Sequence, residues 1–480
     1  MSPASTAIRT STPWFSATKL ANFRLIPRIE TYLHVLEFAQ TPLGKGALLA
    51  VFCQVLRNFV PDILSWVLIV VALILTTFLP GHRRVVLAIG AVIGTLKATL
   101  NFGAGFTLKP VVMDLAVMAL GMMLFWCARR WPQSRFGRRP IVFLLSGFGL
   151  LILCASSVPA AGRIGVFLWS AIGAAVTYVW FIAYALTDKS AKPAQEATVE
   201  LAALRPVWGS TATPFPKGAA YLRRIEARNA EQLAIAQLKG LKLLVWAILL
   251  ALLVGLWNKF FHGYLQIPTS ADALTMSVKG TPAAWHLRWE SLILAFFESI
   301  LSVSIMGHQF IAVCRMAGFN ALRNTYRPLS STTISEFFNR FYYYFKELLV
   351  DFFFYPAFLR YFKSNKRLRM IFATFAAAFF GNTFYHFTRD WAIIRDDGLL
   401  QAMKNYEASL FYCFVLAAAL SISQLRERGP RPTGFLRGHL LPVTWVCLFY
   451  CVLNVFVTDE RVYPFVEYVK YLASLFFIRL

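Results

Sequence analysis

Charged residues are scarce in this sequence of 480 residues. They make up 15% of the chain, whereas hydrophobic residues make up 58%. A soluble domain carries about 25% charged residues, so a soluble fold of this length would have too few of them for its surface. No polar stretch is long enough to form a second, soluble domain. The composition therefore predicts that most of the chain is surrounded by lipid.

Acidic residues are scarcer than basic ones. The chain has 23 Asp and Glu against 48 Lys and Arg, a formal net charge of +25. A nucleic-acid-binding protein can share this balance, but it presents its cations in a groove of a soluble fold. Here the basic residues lie in short runs between apolar segments, such as Arg138-Arg139 and Lys366-Arg367. This pattern is typical of cytoplasmic loops and argues against nucleic acid as a partner.

The signatures of several other classes are missing. The seven cysteines include no C-x-x-C pair, and each lies in or beside an apolar run, which argues against a disulfide framework or a zinc site. No G-x-S-x-G element marks a serine nucleophile. No internal repeat is visible, and this weighs against transporters that are built from repeated halves.

Apolar segments long enough to cross a bilayer as helices are abundant. They predict an all-α, polytopic transmembrane bundle of about 10–12 membrane helices, with re-entrant or interfacial helices between them. The segments fall at 44–59, 62–80, 85–104, 110–127, 140–158, 163–186, 241–258, 289–311, 368–388, 408–425, 438–457 and 463–480. We expect four regions: a basic tail with an interfacial helix (1–43), N-terminal membrane helices (44–186), a cytoplasmic linker with an amphipathic helix (187–240) and a C-terminal core (241–480).

The linker is the most polar stretch of the chain. Prolines break its first part, at positions Pro193, Pro206, Pro214 and Pro216. From Tyr221 to Lys242, apolar residues then alternate with Arg and Glu in a helical pattern. We expect one amphipathic helix here, on the cytoplasmic surface.

Residues 312–367 fit neither a plain membrane span nor a soluble loop, because they are rich in aromatic residues yet carry charges throughout. Such a segment is tolerated at membrane depth only where it is buried in protein or lines a wet cavity. Helical spacing places Glu336, Asn339, Arg340 and Tyr343 on one face, and Asp351 extends this polar stripe. The stripe predicts either the lining of a funnel or an interfacial helix with solvated charges.

His386 is the best functional candidate on position alone. It follows an apolar run and is flanked by Tyr385 and Phe387. Ionisable residues at membrane depth are costly and often functional. A histidine near a helix end can equally be satisfied by a neighbour, so position leaves its role open.

Two other polar positions are also open to two interpretations. His308 lies late in an apolar span and would either face an internal tunnel or cap a helix. Arg327, with Arg315 and Arg323, would either hold the phosphates of a ligand or anchor a loop at the membrane surface.

A series of motifs runs in order through the C-terminal half. A helix of small residues ends in Gly318-Phe319, Asn324 and Arg327-Pro328 follow, and Ile334 to Phe338 spells I-S-E-F-F. Asp351 and Tyr355-Pro356 come next, and Gly381 to His386 closes the series, which covers about 75 residues. This order resembles the membrane-bound O-acyltransferase family, with its "(S/T)-I-x-E-F-W" element, its Asp and Tyr-x-Pro region and its "G-x-x-W-H" ending.

The resemblance implies a helical bundle around a central reaction tunnel. It implies transfer of an acyl group from a thioester, expected to be acyl-CoA, to a hydroxyl of a glycan, a lipid or a small molecule. His386 would be the catalytic base, and Asn339 would hold the acceptor or stabilise the oxyanion. The residues expected to contact the substrates are Glu336, Arg340, Tyr343, Asp351, Asn382, Tyr385, His308 and Arg327. Acyl-CoA would be a co-substrate, and no cofactor or metal is implied.

The chain departs from the family pattern in ways that leave the acceptor open. Tyr342 stands where many polysaccharide-modifying members have His, and Phe338 and Tyr385 replace tryptophans. A non-enzymatic transporter or export partner would explain the hydrophobicity and His386 equally well, though not the ordered motifs. A third hypothesis is that the chain has a degenerate acyltransferase fold that binds acyl-CoA without transferring the acyl group. We expect a multi-pass protein of the cell membrane with its basic loops in the cytoplasm.

Overall fold

The computed structural model describes residues 25–100, 108–188, 193–426, 434–457 and 463–478. Within these ranges the chain forms helices and no β-strand, which confirms the predicted all-α fold. The α-helices are α1 (Leu33–Gln40), α2 (Pro42–Leu56), α3 (Ile63–Phe78), α4 (Arg83–Leu100), α5 (Leu108–Arg130), α6 (Arg135–Arg138), α7 (Pro140–Ser156), α8 (Arg163–Thr187), α9 (Pro193–Leu204), α10 (Ala219–Ile225), α11 (Ala230–Trp257), α12 (Ser270–Val278), α13 (Trp285–Met316), α14 (Ile334–Phe341), α15 (Tyr343–Leu349), α16 (Tyr355–Arg360), α17 (Lys366–Phe375), α18 (Asn382–Arg389), α19 (Trp391–Asp397), α20 (Leu399–Asn405), α21 (Glu407–Leu425), α22 (Leu441–Leu453) and α23 (Phe465–Leu475).

Short helices of other types join several of these. The π-helical turns are Asn258–Tyr264, Val350–Phe354, Ala376–Gly381 and Leu436–Leu440, and the 3₁₀ turns are Ile29–Thr31, Pro80–His82, Pro328–Ser330 and Asn454–Phe456. π-helical turns are rare and often lie at functional sites. Ala376–Gly381 directly precedes α18, the helix that carries His386.

The described ranges contain six helices that are long and apolar enough to cross a membrane: Val112–Arg130, Arg163–Thr187, Ala230–Tyr264, Trp285–Met316, Glu407–Leu425 and Leu436–Phe456. Helices Ile63–Phe78 and Pro80–Lys97 make a seventh span if they count as one, and they are bent by 118° where they meet. The break between them is at Leu79, directly before Pro80, because proline cannot continue the preceding helix. The protein is therefore a multi-pass membrane protein.

Within the described ranges, fewer full spans form than the 10–12 that the apolar segments predict. Segments 44–59 and 140–158 give only short apolar helices, Pro42–Leu56 and Pro140–Ser156. Segment 368–388 is interrupted by the π-helical turn Ala376–Gly381, and segment 463–480 contains only the 11-residue helix Phe465–Leu475. Apolar composition therefore overestimates how many segments continue as one uninterrupted helix.

Helix α13 is the centre of the bundle. Its Ile311 to Ala317 end packs in one buried cluster with α2, α3 and the linker, while Leu292 to Ile300 packs in another with α21 and α22. Helix α11 packs along it, and a Cβ at Gly240 would lie 2.9 Å from the carbonyl oxygen of Ala312. The two backbones can approach this closely only because Gly240 has no side chain.

Much of the predicted surface linker is buried. Trp208 is 3% exposed and Phe215 is fully buried, and the indole Nε1 of Trp208 donates to the carbonyl oxygen of Phe215 at 2.6 Å. The expectation of a linker that runs over the cytoplasmic surface is wrong for this part. Its prolines shape a compact turn that is inserted between helices, and single-sequence polarity does not distinguish such a turn from an exposed one.

The single amphipathic helix expected from Tyr221 to Lys242 is also wrong, because the structure divides it into α10 and α11. Glu226 is extended between them, and its carboxylate pairs with Arg83 at 3.3 Å and Arg84 at 3.1 Å. Asn229 then caps α11 by accepting from the backbone N–H of Gln232 at 2.8 Å. The ion pairs and the cap outweigh the local helical pattern.

Candidate active site

A cavity of about 530 Å³ lies inside the C-terminal half of the bundle. Its walls come from α13, α14, α15, α18, α21 and the end of α22, together with Thr211 and Ala212 of the linker. Most of its lining is aromatic or aliphatic. It lies towards the Glu407 end of α21, since it touches Ser409, Tyr412, Cys413 and Leu416 of that helix but nothing nearer Leu425. A pocket of this size could hold a small substrate group away from bulk water.

Helix α18 supplies the polar side of this cavity. Asn382, Tyr385, His386 and Arg389 all line it. They follow one another at the i, i+3, i+4 and i+7 positions that share one helix face. The sequence predicted Asn382, Tyr385 and His386 as site residues, and the structure brings these three together.

Gly381 lets α18 approach the neighbouring π-helical turn closely. A Cβ at this position would lie 2.6 Å from the ring of Phe353. Phe353 belongs to a buried aromatic group in which Trp180 contacts Phe352, Phe353, Phe384 and Tyr385. Gly381 therefore has a packing role, because its missing side chain lets the helix that carries His386 pack against Phe353.

His386 is half-buried and is held between aromatic rings. The centre of its imidazole ring lies 5.1 Å from the ring centre of Tyr385 and 5.6 Å from that of Phe345, and both pairs meet edge to face. Its backbone carbonyl accepts from the N–H of Asp390 at 3.1 Å, at the end of the helix. The ring therefore faces the cavity from a packed support, which suits a group that must keep one orientation during proton transfer.

Asn382 lies one turn before His386 and is 2% exposed. Its side-chain oxygen Oδ1 is buried and has no hydrogen-bond partner among the residues that the structure describes. A buried polar atom without a partner costs about 1–3 kcal/mol, and native structures keep few of them. An acceptor in this position is suited to bind a donor group of a ligand.

Arg389 marks one end of the cavity and is exposed there. Its Nε donates to Oδ1 of Asp390 at 2.8 Å, and the hydroxyl of Tyr406 donates to Oδ2 of the same carboxylate at 2.9 Å. Since Tyr406 also lines the cavity, this hydrogen-bonded group connects the cavity to the exposed surface.

The inserted linker forms the part of the cavity wall that adjoins Tyr385. The hydroxyls of Thr213 and Tyr385 share a hydrogen bond of 2.8 Å, and the hydroxyl of Tyr342 donates to Thr213 at 3.4 Å. The sequence gave no signal for Thr211, Ala212 or Thr213, because a Pro-rich polar stretch usually indicates a surface loop. Tyr342 also lines the cavity.

Helix α14 presents its aromatic face to the cavity and its polar face elsewhere. Phe337, Phe338 and Phe341 line the cavity, whereas Asn339 is exposed and lies on the other side of the helix. The expected pairing of Asn339 with His386 does not fit this position. The aromatic face of α14 is turned towards the cavity because burying it stabilises the fold, while the amide of Asn339 remains solvated.

Glu336 and Arg340 form interactions within α14 and with the turn that precedes it. Oε1 of Glu336 pairs with Nη2 of Arg340 at 2.6 Å, and Oε2 accepts from the backbone N–H of Thr332 at 2.8 Å. Thr333 caps the helix by accepting from the N–H of Glu336. Glu336 thus holds the turn that leads into the helix and pairs with Arg340 one turn later, so both residues have a local structural role away from the cavity.

Asp351 and Tyr343 belong to a different polar cluster. Nζ of Lys217 lies 2.8 Å from Oδ2 of Asp351 and 2.5 Å from Oε2 of Glu347, and Tyr184 donates to Asp351 at 3.2 Å. Burial would raise the pKa of Glu347, but its hydrogen bonds with Lys217 and Lys346 lower that pKa overall. Burial, then the charge of Glu347, raises the pKa of Tyr343 to about 12.

This cluster borders a second cavity, of about 380 Å³, which Lys217 and Asp351 help to line. Segment 211–218 of the linker separates the two cavities, because Thr211 lines the first and Lys217 the second. The structure therefore does not bring Asp351 or Tyr343 to the cavity of His386.

His308 and Arg327 also lie outside that cavity. His308 is 7% exposed, and its Nδ1 donates to the carbonyl oxygen of Ser304 at 2.5 Å within the same helix. Arg327 is exposed, has a positive φ of 49° and lies over the ring of Tyr326. His308 was expected either to face a tunnel or to have a structural role in its helix, and its hydrogen bond to Ser304 favours the structural role.

No group of three or more His, Cys, Asp or Glu suited to a metal ion occurs among the described residues. Neither a protein-family model nor a curated protein matches this chain.

Proposed function

We propose that this protein is an integral membrane O-acyltransferase that uses His386 as a general base. The donor would be an acyl thioester such as acyl-CoA, and the acceptor a hydroxyl of a glycan, a lipid or a small molecule. The observation that carries the proposal is that Asn382 and His386 line one cavity from the same face of α18. The order of motifs that ends at His386 supports the same reaction.

The chemistry requires one proton acceptor and one polar group near the reacting carbonyl. A neutral imidazole has an ordinary pKa of about 6.5 and can remove a proton from a hydroxyl at neutral pH. As the proton moves to His386, the acceptor oxygen attacks the thioester carbonyl carbon. The tetrahedral intermediate then collapses, the C–S bond breaks, and His386 returns the proton to the leaving thiolate.

Asn382 takes the supporting role that the motif series suggested for Asn339. Its amide N–H can donate to the developing oxyanion, and its buried Oδ1 can accept from an N–H or O–H of a bound substrate. One oxyanion donor is worth about 2.7–4 kcal/mol in the transition state. Asn339 is left out of this mechanism because it is exposed on the far side of α14.

The aromatic walls around His386 favour transfer over hydrolysis. Phe337, Phe338 and Phe345 line the cavity and offer no hydrogen bonds to water. Excluding water strengthens the polar interactions that remain and protects the thioester from hydrolysis. The acyl chain would lie against these rings.

The test is thiol release by the purified, reconstituted protein supplied with acyl-CoA and a panel of hydroxyl acceptors. We expect release above the protein-free rate, and its loss in His386→Ala. The matched control is His439→Ala, since His439 is exposed near the start of α22. Normal turnover in His386→Ala would contradict the assignment. Binding of acyl-CoA without thiol release would favour a binding protein, and the absence of both would favour a transporter.

A further inference from the structure

Basic side chains gather where the last turn of α13 meets α11. Nη1 of Arg315 donates to the carbonyl oxygen of Lys239 at 3.5 Å, and a Cβ at Gly240 would lie 3.2 Å from the Cβ of Arg315. The neighbouring cations come from α11, from the segment before α1 and from the loop after α13. Together they form the basic patch, which consists of Arg28, Lys239, Lys242, Arg315, Arg323 and Arg327.

The basic patch is not neutralised by the protein. Among the described residues, Glu30 is the only carboxylate that forms an ion pair with any member of the patch. Its two oxygens lie 2.9 and 2.8 Å from Nζ of Lys242. Burial would raise the pKa of Glu30, but the hydrogen bond with Lys242 lowers that pKa overall, so Glu30 is ionised. A single carboxylate leaves the patch with a positive net charge.

Arg323 is the member of the patch that most needs an anion. Nε and Nη2 of Arg315 donate to the carbonyl oxygen of Ala321 at 2.9 and 2.6 Å, which fixes the chain two residues before Arg323. Arg323 is half-buried, yet its guanidinium has no hydrogen bond or ion pair with any residue that the structure describes. Burial lowers the pKa of Arg323, because a cation without a partner is costly to desolvate. A bound anion would offset this cost.

Arg327 is presented by a fixed and strained loop. Its φ is 49°, in the left-handed region that non-glycine residues seldom adopt. Its carbonyl oxygen accepts from the N–H of Ser330 at 3.2 Å and from the hydroxyl of Ser330 at 2.9 Å. The N–H of Tyr326 donates to the carbonyl oxygen of Arg340 at 2.9 Å. Strained backbone of this kind clusters at ligand sites, and here it holds an exposed guanidinium beside Arg323.

The basic patch lies at the end of a membrane span. Helix α13 has 32 residues and is about 48 Å long, which exceeds the roughly 30 Å of the hydrocarbon layer, and Arg315 is its penultimate residue. Exposed apolar side chains stand next to the cations, namely Leu322, Tyr326 and Leu329 in the loop and Leu33 on α1. Exposed apolar and basic residues side by side are typical of surfaces at the boundary between lipid headgroups and acyl chains. The patch therefore fits the level of the headgroups.

We propose that the basic patch binds the headgroup phosphate of an anionic membrane phospholipid. The guanidinium groups of Arg323 and Arg327 can each donate two hydrogen bonds to phosphate oxygens. Lys239 is half-buried and forms no ion pair within the described ranges, so its ammonium adds a further uncompensated charge. A soluble phosphate would meet the same cations but would leave Leu322 and Tyr326 without apolar contacts, whereas the acyl chains of a phospholipid cover them. The inference does not depend on the proposed acyl transfer.

The test measures lipid binding to the full-length protein without any thioester. The protein is placed in phosphatidylcholine nanodiscs with increasing fractions of phosphatidylglycerol, and the midpoint of thermal unfolding gives an apparent affinity. We expect phosphatidylglycerol to stabilise the wild type. The double variant Arg323→Gln/Arg327→Gln should lose at least about tenfold in affinity, or about 1.4 kcal/mol. In phosphatidylcholine alone it should unfold at or above the wild-type midpoint, because it removes a cation that has no partner there.

The matched control is Arg135→Gln/Arg139→Gln, which removes the same charge from two exposed positions at α6. It should keep the wild-type affinity, and an equal loss in this control would reduce the effect to general surface charge. Unchanged affinity in Arg323→Gln/Arg327→Gln would overturn the site. Equal stabilisation of the wild type by inorganic phosphate would overturn a lipid source. Displacement of phosphatidylglycerol by free CoA would assign the cations to a soluble nucleotide instead.

Discussion

The hydroxyl oxygens of Thr213 and Tyr385 lie 2.8 Å apart in a buried hydrogen bond. The two residues are 172 positions apart in the chain, on the inserted linker and on the helix that carries His386. The bond joins the linker, which forms part of the cavity wall, to α18, which supplies the polar side of the cavity. It makes the linker part of the site, although the linker's own sequence predicts an exposed connection.

This bond should be measurable as an energetic coupling. Thr213→Val and Tyr385→Phe each remove one hydroxyl, and each should lower the free energy of unfolding by about 0.5–1.5 kcal/mol. The double variant should lose less than the sum, because either substitution already breaks the bond. Denaturant unfolding in detergent measures all four proteins. Tyr361→Phe, at an exposed tyrosine, is the control, and strictly additive effects would show that the two hydroxyls are not coupled.

The two asparagines give opposite expectations for catalysis. Asn382→Ala removes the buried amide beside His386 and should lower kcat about 10²–10³-fold, the typical cost of one lost oxyanion donor. Asn339→Ala alters an exposed amide on the far side of α14 and should change kcat little. Thiol release under saturating donor compares the two. A large loss in Asn339→Ala with little loss in Asn382→Ala would return the catalytic role to the motif asparagine.

Cys413 offers a test of direct transfer. It lines the cavity and is 2% exposed, and a thiol so placed would be the obvious carrier of a covalent acyl group. Transfer directly from thioester to hydroxyl needs no such carrier. Cys413→Ala should therefore keep most of the turnover, and intact-protein mass spectrometry of wild type with acyl-CoA should show no added acyl mass. An acyl adduct that disappears in Cys413→Ala would establish a two-step mechanism.

Glu200 should make the stability of the fold depend on pH. It is 1% exposed on α9, and burial, followed by the nearby Asp188 carboxylate, raises the pKa of Glu200 to about 8. Because its pKa is higher when folded, the native state binds the proton more tightly. Its contribution to stability is complete below the unfolded pKa of about 4.5 and is lost as pH rises through about 8.

Glu200→Gln keeps the shape of the neutral side chain and removes the titration. Its midpoint of thermal unfolding should match that of the wild type near pH 4, exceed it increasingly as the pH rises to about 8, and differ by a constant amount above that pH. The comparison is made in the same detergent at each pH. Glu231→Gln serves as the control, since Glu231 is exposed at the start of α11. A constant difference across the pH range would mean that Glu200 is already ionised in the folded protein.

The sequence by itself determined that lipid surrounds most of this protein, that its fold is helical, and which residue lies at the centre of the proposed site. Low charge and long apolar segments required a helical membrane fold, because lipid leaves backbone polar groups no partners except one another. Helical spacing was enough to place Asn382, Tyr385 and His386 on one face, since these contacts are local in the chain.

Tertiary packing decided the remaining features. Which face of α14 meets the cavity depends on burial of Phe337 and Phe341 against distant helices, and this left Asn339 at the surface. The inserted turn at Thr213 brings together residues far apart in sequence. Such contacts exist only once the helices are packed, because they depend on depth and on distances between helices that no local pattern contains.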